Sequence, residues 1–178
     1  MDSNIVSIVL SLCAISLTAY GAYATRRHNR LSVTPHLSSC TGNDLTDNGL
    51  LFSFEISNNG IGSAKIKDLV LFQHGEIFPK GKTAYIEDLI KKHLGTSMEY
   101  QIVHQYNFGT SVSIRAGDTR CLVKVFFPGV NRDSQARVLN SLEGLDICIK
   151  YESFYGEKFT FDTRDERILM QKTKIQIA

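Results

Sequence analysis

Residues Leu50 to Ser57 read LLFSFEIS, and this stretch carries the clearest β-strand pattern in the chain. Its large apolar side chains occupy every second position, whereas Ser53 and Glu55 fall between them. Alternate residues of a strand point to opposite faces, so the stretch predicts a strand with one face on a core and the other near solvent. The core face is expected to hold Leu50, Phe52, Phe54 and Ile56.

Similar short strands are predicted outward from this one, with turn residues between them. They cover residues 31–35, 64–72, 77–78, 98–106, 111–114, 119–127, 145–151 and 158–162. The strand at 64–72 changes phase near Asp68, which indicates a bulge. Helices are predicted at 83–94, ended by Gly95, and at 133–141. This pattern predicts a mainly β domain: an immunoglobulin-like antiparallel β-sandwich, or a small barrel, with one or two short inserted helices.

On the amino side, Ile5 to Ala24 reads IVSIVLSLCAISLTAYGAYA and contains no charged residue. At a rise of about 1.5 Å per residue, this stretch spans the roughly 30 Å of bilayer hydrocarbon as one helix. Arg26, Arg27 and Arg30 follow it, whereas Asp2 is the only charged side chain before it. Because basic flanks stay cytoplasmic, we predict a single-pass signal-anchor helix of the inner (cytoplasmic) membrane with the following domain in the cytoplasm.

These patterns divide the chain into three parts. Residues 1–25 are predicted to form the transmembrane helix, 26–30 a basic juxtamembrane flank on the lipid bilayer, and 31–178 one β-domain. A cleaved secretory signal is the competing interpretation, since Ala22-Tyr23-Ala24 has the small-x-small form of a cleavage site. A secretory signal, however, carries its basic residues before the apolar core, and here they follow it.

Small residues recur at spacings of three and four within the apolar stretch, which places them on one stripe of the helix. Such a stripe lets two helices approach closely in lipid, so a homodimer through the anchor helix is a hypothesis. The alternative is a chance pattern, because several other small residues lie off the stripe. The stripe consists of Ser7, Ser11, Ala14, Thr18 and Gly21.

The composition of the chain behind the apolar stretch bears on its partners and its compartment. That part holds all 20 basic residues and, without Asp2, one acid fewer than the chain's 18, a formal charge of +3. So small an excess does not favour nucleic-acid binding, and we expect no nucleic-acid partner. Cys40, Cys121 and Cys148 make an odd number without a C-x-x-C pair, which favours a reducing compartment.

No catalytic constellation is recognisable in the sequence, so we expect neither an enzyme nor a cofactor. The five histidines lack metal-ligand spacing, and we expect no metal site. Gly81-Lys82-Thr83 resembles the end of a phosphate-binding loop, but the preceding glycine stands one residue too far upstream. An anion-binding loop remains a hypothesis, although glycines in a β-rich chain more often mark a turn. It would use Gly60, Gly62, Ser63, Lys80 and Lys82.

Two stretches of the domain are distinctive: NNGIGSA at Asn58–Ala64, before a predicted strand, and IKYESFYGEKFTF at Ile149–Phe161, a predicted hairpin. Through them the chain resembles bacterial single-pass membrane proteins that carry an immunoglobulin-like β-sandwich domain. The resemblance implies the fold and carries no functional residue. We therefore expect a non-enzymatic, membrane-tethered β-domain that acts as an interaction or assembly module for a protein partner. The alternative is a membrane-anchored sensor whose β-domain binds an anionic small molecule and changes the association of its anchor helices.

Overall fold

The computed structural model describes residues 3–79, 85–95, 98–106 and 112–165. Within them a long amino-terminal helix is followed by a mainly β domain with two short helices, which confirms the predicted fold class. The helices are α1 (Ser3–Leu31), α2 (Tyr85–Leu94) and α3 (Arg132–Ser141). The strands are β1 (Leu37–Thr46), β2 (Gly49–Asn58), β3 (Ala64–Gln73), β4 (Glu76–Ile77), β5 (Gln101–Gln105), β6 (Ser113–Ile114), β7 (Thr119–Pro128), β8 (Leu145–Glu152) and β9 (Lys158–Asp162).

The strands form two antiparallel sheets that enclose one apolar core. The first sheet has the order β1-β2-β7-β5, and the second has the order β4-β3-β8-β9, with β6 paired to the start of β3. Leu50 and Val125 of the first sheet and Leu71 and Ile149 of the second are fully buried in the shared core. The alternation of β2 thus reflects a strand with one face between the sheets, and the domain is a sandwich.

Bulges decide which side chains reach this core. β3 shifts register against β8 between Ile66 and Asp68, as the change of phase predicted. A second shift, in the pairing of β2 with β7, turns both Leu122 and Val123 inward. Cys121, which alternation alone would place in the core, is therefore only half-buried.

The strand predicted at residues 31–35 is wrong. Leu31 ends α1, and the N–H groups of Ser32 and Val33 donate to the carbonyl oxygens of His28 and Arg30 at 2.9 and 3.3 Å. The first strand is instead β1, which the sequence analysis missed because LSSCTGNDLT lacks apolar alternation. β1 pairs with β2 along its whole length, and Leu37 at its start packs into the apolar core.

The predicted helices and the carboxyl-terminal hairpin are confirmed where the structure describes them. α2 buries the side chains of its apolar stripe, and Gly95 ends it with a left-handed φ of 57°. α3 begins at a capping box in which Asn131 and Ser134 bond each other's backbone N–H groups. β8 and β9 pair as a hairpin. The buried stripe of α2 consists of Ile86, Leu89, Ile90 and Leu94.

The two ends of the sandwich differ in what covers them. Strand pairing and backbone hydrogen bonds bring the segments 33–36, 58–63, 115–118 and 153–157 to the end where α1 joins the domain. We call these four segments the anchor end. The half of the sandwich away from them, which carries α2 and α3, is called the far half.

Candidate functional site

α1 leaves its apolar side chains exposed along its length. The helix Asn4–Leu31 is long and apolar enough to cross a membrane, and its most apolar stretch is not buried against the domain. Leu17, for example, is 75% exposed. A helix with exposed apolar side chains suits hydrocarbon better than water, and its backbone hydrogen bonds within the helix allow it to lie there.

The predicted membrane flank is part of the same helix. α1 continues without a break through Arg26, Arg27 and Arg30 to Leu31. Arg26 and Arg27 are exposed, and Arg30 is half-buried. At about 1.5 Å per residue, the helical turns after Ala24 rise roughly 10 Å beyond the apolar stretch, which is enough to cross a headgroup layer. Contact of these arginines with lipid stays a prediction.

The small-residue stripe lies on the exposed surface of α1. The Ser11 hydroxyl donates to the Ser7 carbonyl oxygen, and the Thr18 hydroxyl donates to the Ala14 carbonyl oxygen, both at 2.8 Å. The space beside Gly21 is open. The side chains therefore bond within their own helix, and the homodimer stays a prediction.

Asn58 is the centre of the hydrogen-bond network at the anchor end. Its side chain is fully buried at the end of β2. Its amide group donates to the carbonyl oxygens of Gly62 and Ile114 at 2.8 and 3.0 Å. Its side-chain oxygen accepts from the backbone N–H groups of His36 and Gly60, each at 3.1 Å. One side chain thus ties the segment after α1 to two other loops of the sandwich.

The backbone between α1 and β1 lies directly against the two glycines of this loop. A Cβ on Gly60 would lie 2.3 Å from the His36 nitrogen, and one on Gly62 would lie 1.7 Å from the Val33 oxygen. The N–H groups of Ile61 and Gly62 both donate to the Thr34 carbonyl oxygen, at 3.1 and 3.3 Å. We call the segments 33–36 and 58–62, joined in this way, the clasp. It couples the position of α1 to that of the sandwich.

The predicted anion-binding residues fall partly within the clasp. The N–H groups of Gly60, Ile61 and Gly62 all donate hydrogen bonds to oxygen atoms of the protein itself. Ser63 is exposed beside them. Lys80 and Lys82 lie outside the described residues, so the hypothesis as a whole stays a prediction. The close approach to residues 33–36 accounts for both glycines without an anion.

β1 forms a long outer edge of the first sheet. Its residues pair with β2 in a register without a shift, and in the described part of the chain it is the last strand on that side. Natural proteins protect such edges with lysine, proline or bulges. β1 contains no lysine, proline or bulge, and Asp44 is its one charged residue. The opposite edge strand, β5, is half as long and shifts register against β7.

A cavity of about 330 Å³ lies between the sheets in the far half. Phe52 and Phe54 line it from β2, and Val123 and Val125 line it from β7. Side chains of α2, α3 and β8 complete the apolar wall. This volume lies in the range of small-molecule pockets, which are mostly apolar with a few polar groups.

Among the described residues, the polar groups that line the cavity include two carboxyl groups and no basic side chain. They are contributed by Thr41, Asn43, Glu143, Asp146 and Thr163. The carboxylate of the buried Asp146 accepts a hydrogen bond from the Thr163 hydroxyl at 3.1 Å. The described lining thus contributes two carboxyl groups, which disfavour an anion and favour a neutral or cationic apolar molecule.

The two buried or half-buried thiols are poor nucleophiles. The sequence suggests that Cys148 faces outward on β8, but the side chain is buried. Burial raises the pKa of the Cys148 thiol, and the Asp162 carboxylate raises it further. Burial likewise raises the pKa of the Cys121 thiol. A catalytic thiol needs a lowered pKa, so neither environment favours covalent chemistry.

Neither the metal-ligating side chains of the described residues nor the comparisons with known proteins indicate a function. Among residues 3–79, 85–95, 98–106 and 112–165, no group of three His, Cys, Asp or Glu side chains could hold a metal ion. No protein-family model matches the chain, and no curated protein matches its sequence. Among solved structures, the chain is similar to the archaellum periplasmic stator protein FlaG from Sulfolobus acidocaldarius, with 12% identity, 72% of this chain and 99% of that chain covered, and a TM-score of 0.25. A likeness this weak supports no transfer of function.

Sequence reasoning missed three features of the site. β1 lacks apolar alternation, so its edge was not predicted as a strand. The cavity depends on side chains from both sheets and from two helices. Asn58 was interpreted only as a turn residue, although an asparagine before two glycines spaced by one residue is a signal of close backbone approach.

Proposed function

We propose that the protein is a membrane-tethered, non-enzymatic interaction module whose β-domain binds a protein partner through the edge of β1. The long, regular outer edge of β1 is the observation that carries the proposal. β1 is a strand of 10 residues in regular register with β2, and in the described part of the chain it is the outermost strand of its sheet. An extended segment of a partner gains main-chain hydrogen bonds when it adds to such an edge.

The sheet orders support an immunoglobulin-like domain for this module. Named A, B, C, C′, D, E, F and G, the strands β1, β2, β3, β4, β5, β7, β8 and β9 give the orders A-B-E-D and C′-C-F-G. These are the constant-type immunoglobulin orders with one strand added beside C. The edge strand A is the one proposed to receive the partner.

A photo-crosslinking side chain on each edge tests the partner site. It replaces Asp44 on β1 in one variant and Val103 on β5 in the matched control, because both residues are exposed. We expect a discrete protein adduct after irradiation of cells with the Asp44 variant and none with the Val103 variant. No adduct, the same adduct from both positions, or an adduct of two copies of this chain would contradict the proposal.

We place the β-domain on the cytoplasmic side of the inner membrane, because Arg26, Arg27 and Arg30 follow the apolar stretch. Cys40 supplies a native reporter, since its thiol is exposed on β1. A membrane-impermeant maleimide should label Cys40 only after the inner membrane is permeabilised, and a Cys40→Ser variant corrects for labelling of the other thiols. Labelling of Cys40 in cells with an intact inner membrane would place the domain outside.

The cavity favours a second candidate function, that of a membrane-anchored sensor for a small apolar molecule. The sequence predicts an anionic ligand, whereas the described lining of the cavity favours a neutral or cationic one. Photoreactive analogues of decanol and decanoate form a matched pair of probes. Peptide mapping should find the decanol analogue on the cavity wall, and Val125→Phe should reduce this labelling. Equal labelling by decanoate, or labelling unchanged by Val125→Phe, would exclude the cavity as the site.

A further inference from the structure

We propose that the anchor end of the β-domain itself contacts the bilayer, with the tips of two loops inserted into the interfacial layer beside α1. The inference rests on the proposed membrane tether, because it requires α1 to span the membrane. The tips belong to the segments 58–63 and 153–157. The partner surface is the lipid bilayer that holds α1.

The two loop tips expose large apolar side chains. Ile61 is 74% exposed, Phe154 is 82% exposed and Tyr155 is 46% exposed. The Phe154 and Tyr155 rings meet edge to face, with their centroids 5.6 Å apart. A single exposed apolar residue is ordinary in a soluble domain, but here three lie on two loops at the same end of the sandwich. Aromatic rings of this kind favour the region of lipid headgroups.

Strand register places both loops at the end that joins α1. β3 pairs with β8 so that Lys65 lies opposite Glu152, which brings the start of β3 beside the end of β8. Segment 58–63 leads into β3, and segment 153–157 follows β8. The clasp holds the first of these loops against residues 33–36, directly after α1. The apolar tips therefore lie where the chain leaves the predicted membrane span.

The length of α1 sets the distance between the hydrocarbon and this end. The helical turns from Thr25 to Leu31 add about 10 Å beyond the apolar stretch. The headgroup region on one side of a bilayer is roughly 5 to 8 Å thick, and an average tilt of about 20° shortens the projected rise. The anchor end thus begins within side-chain reach of the headgroups. Arg26 and Arg27 add attraction to anionic lipid on the same side.

Tryptophan fluorescence tests the contact, since the chain contains no native tryptophan. Phe154→Trp places a single fluorophore on a loop tip, and Ile61→Trp places one on the other. Ile77→Trp is the matched control, because Ile77 is 68% exposed but lies on β4 in the far half. Each full-length variant is reconstituted into vesicles of phosphatidylcholine and phosphatidylglycerol, with and without lipids brominated near the headgroup.

We expect both tip variants to emit at shorter wavelength than the control and to be quenched by brominated lipid roughly twofold or more above it. Flotation of the vesicles measures the tether separately. If all variants float and the tip variants are quenched no more than Ile77→Trp, the loop contact is wrong while the tether stands. If the chain does not float with the vesicles, both the tether and the contact are wrong.

Discussion

The anchor end and the far half belong to the same sandwich, but different interactions stabilise them. At the anchor end, one buried asparagine and two closely packed glycines join the segment after α1 to the domain. In the far half, aromatic side chains and two short helices enclose a cavity of about 330 Å³. The end that bears the connection to α1 is closely packed and joined by hydrogen bonds, whereas the other half retains free volume. The difference indicates rigid coupling at one end and room for a ligand at the other.

The largest effect should follow from removal of the central side chain of the clasp. Asn58→Ala leaves two carbonyl oxygens and two N–H groups at the anchor end without their present partner. Each buried group left without a partner costs roughly 1 to 3 kcal/mol, and we expect a loss of about 4 kcal/mol in the free energy of unfolding. Denaturant unfolding of the full chain in detergent, followed by circular dichroism, measures it.

Asn59→Ala is the matched control for this prediction. Asn59 is exposed, and its side chain donates to the Ser38 hydroxyl. We expect a change of about 0.5 kcal/mol or less, as for other exposed positions. Equal losses for the two variants would mean that the Asn58 network does not distinguish the anchor end.

The close approach at Gly62 should give the next largest effect. A Cβ there meets the Val33 backbone, so Gly62→Ala must displace the segment after α1. We expect a loss of about 2 to 3 kcal/mol in the free energy of unfolding, as in other overpacked sites. Gly75→Ala measures the cost of backbone strain without overpacking, because Gly75 has a φ of 85° and open space around it. It should cost about 1 to 2 kcal/mol, and a loss larger than that of Gly62→Ala would contradict the comparison.

Larger side chains should change the free energy of unfolding in opposite directions beside the anchor end and beside the cavity. Ala64 is fully buried at the start of β3, and Val125 borders the cavity. We expect Ala64→Val to destabilise the domain by about 1 to 3 kcal/mol through overpacking and Val125→Ile to stabilise it by about 0.5 kcal/mol through filling. Thermal unfolding of the two variants measures the difference. Destabilisation by both would mean that the cavity wall is as closely packed as the anchor end.

The smallest effect concerns a surface ion pair at the anchor end. Lys67 bonds Glu152 at 2.8 Å, and this hydrogen bond lowers the pKa of the Glu152 carboxyl below its ordinary value of 4.5. The lowered pKa stabilises the folded state above pH 4.5, and the contribution disappears as the pH falls through the lowered value. Glu152→Gln should therefore lower stability slightly at pH 7, and the loss should shrink as the pH falls below 4.5. In a Lys67→Gln background the same substitution should have a smaller pH-dependent effect, because Lys158 and Lys65 also lower the pKa of the Glu152 carboxyl.

Much of the β-domain was predictable because apolar alternation reports burial directly. β2, the bulge in β3, the stripe of α2 and the hairpin of β8 with β9 follow from local pattern and turn residues. β1 was not predictable in this way, since its polar residues are held by main-chain pairing with β2. Pairing leaves no apolar alternation in an edge strand whose inward face, apart from Leu37, carries polar residues such as Thr41 and Asn43.

The candidate sites follow the same division. The apolar helix and its arginines are visible in the sequence, because the requirements of a bilayer span are length and composition. The clasp and the cavity join residues far apart in the chain, and the anchor-end loops become neighbours only through strand register. The sequence predicts a turn at Gly60 and Gly62, with an anion-binding loop as the other hypothesis, and neither specifies what the backbone there packs against. In the structure their neighbour is the backbone of residues 33–36.

By itself, the sequence determined that an apolar helix precedes a β-rich domain, since hydrophobic length and period depend on consecutive residues alone. Tertiary structure decided how the two are joined, which strand is left as an edge and where free volume remains. These properties depend on distances between residues that the chain separates by tens of positions. No local pattern encodes such distances, because they arise when the two sheets pack together.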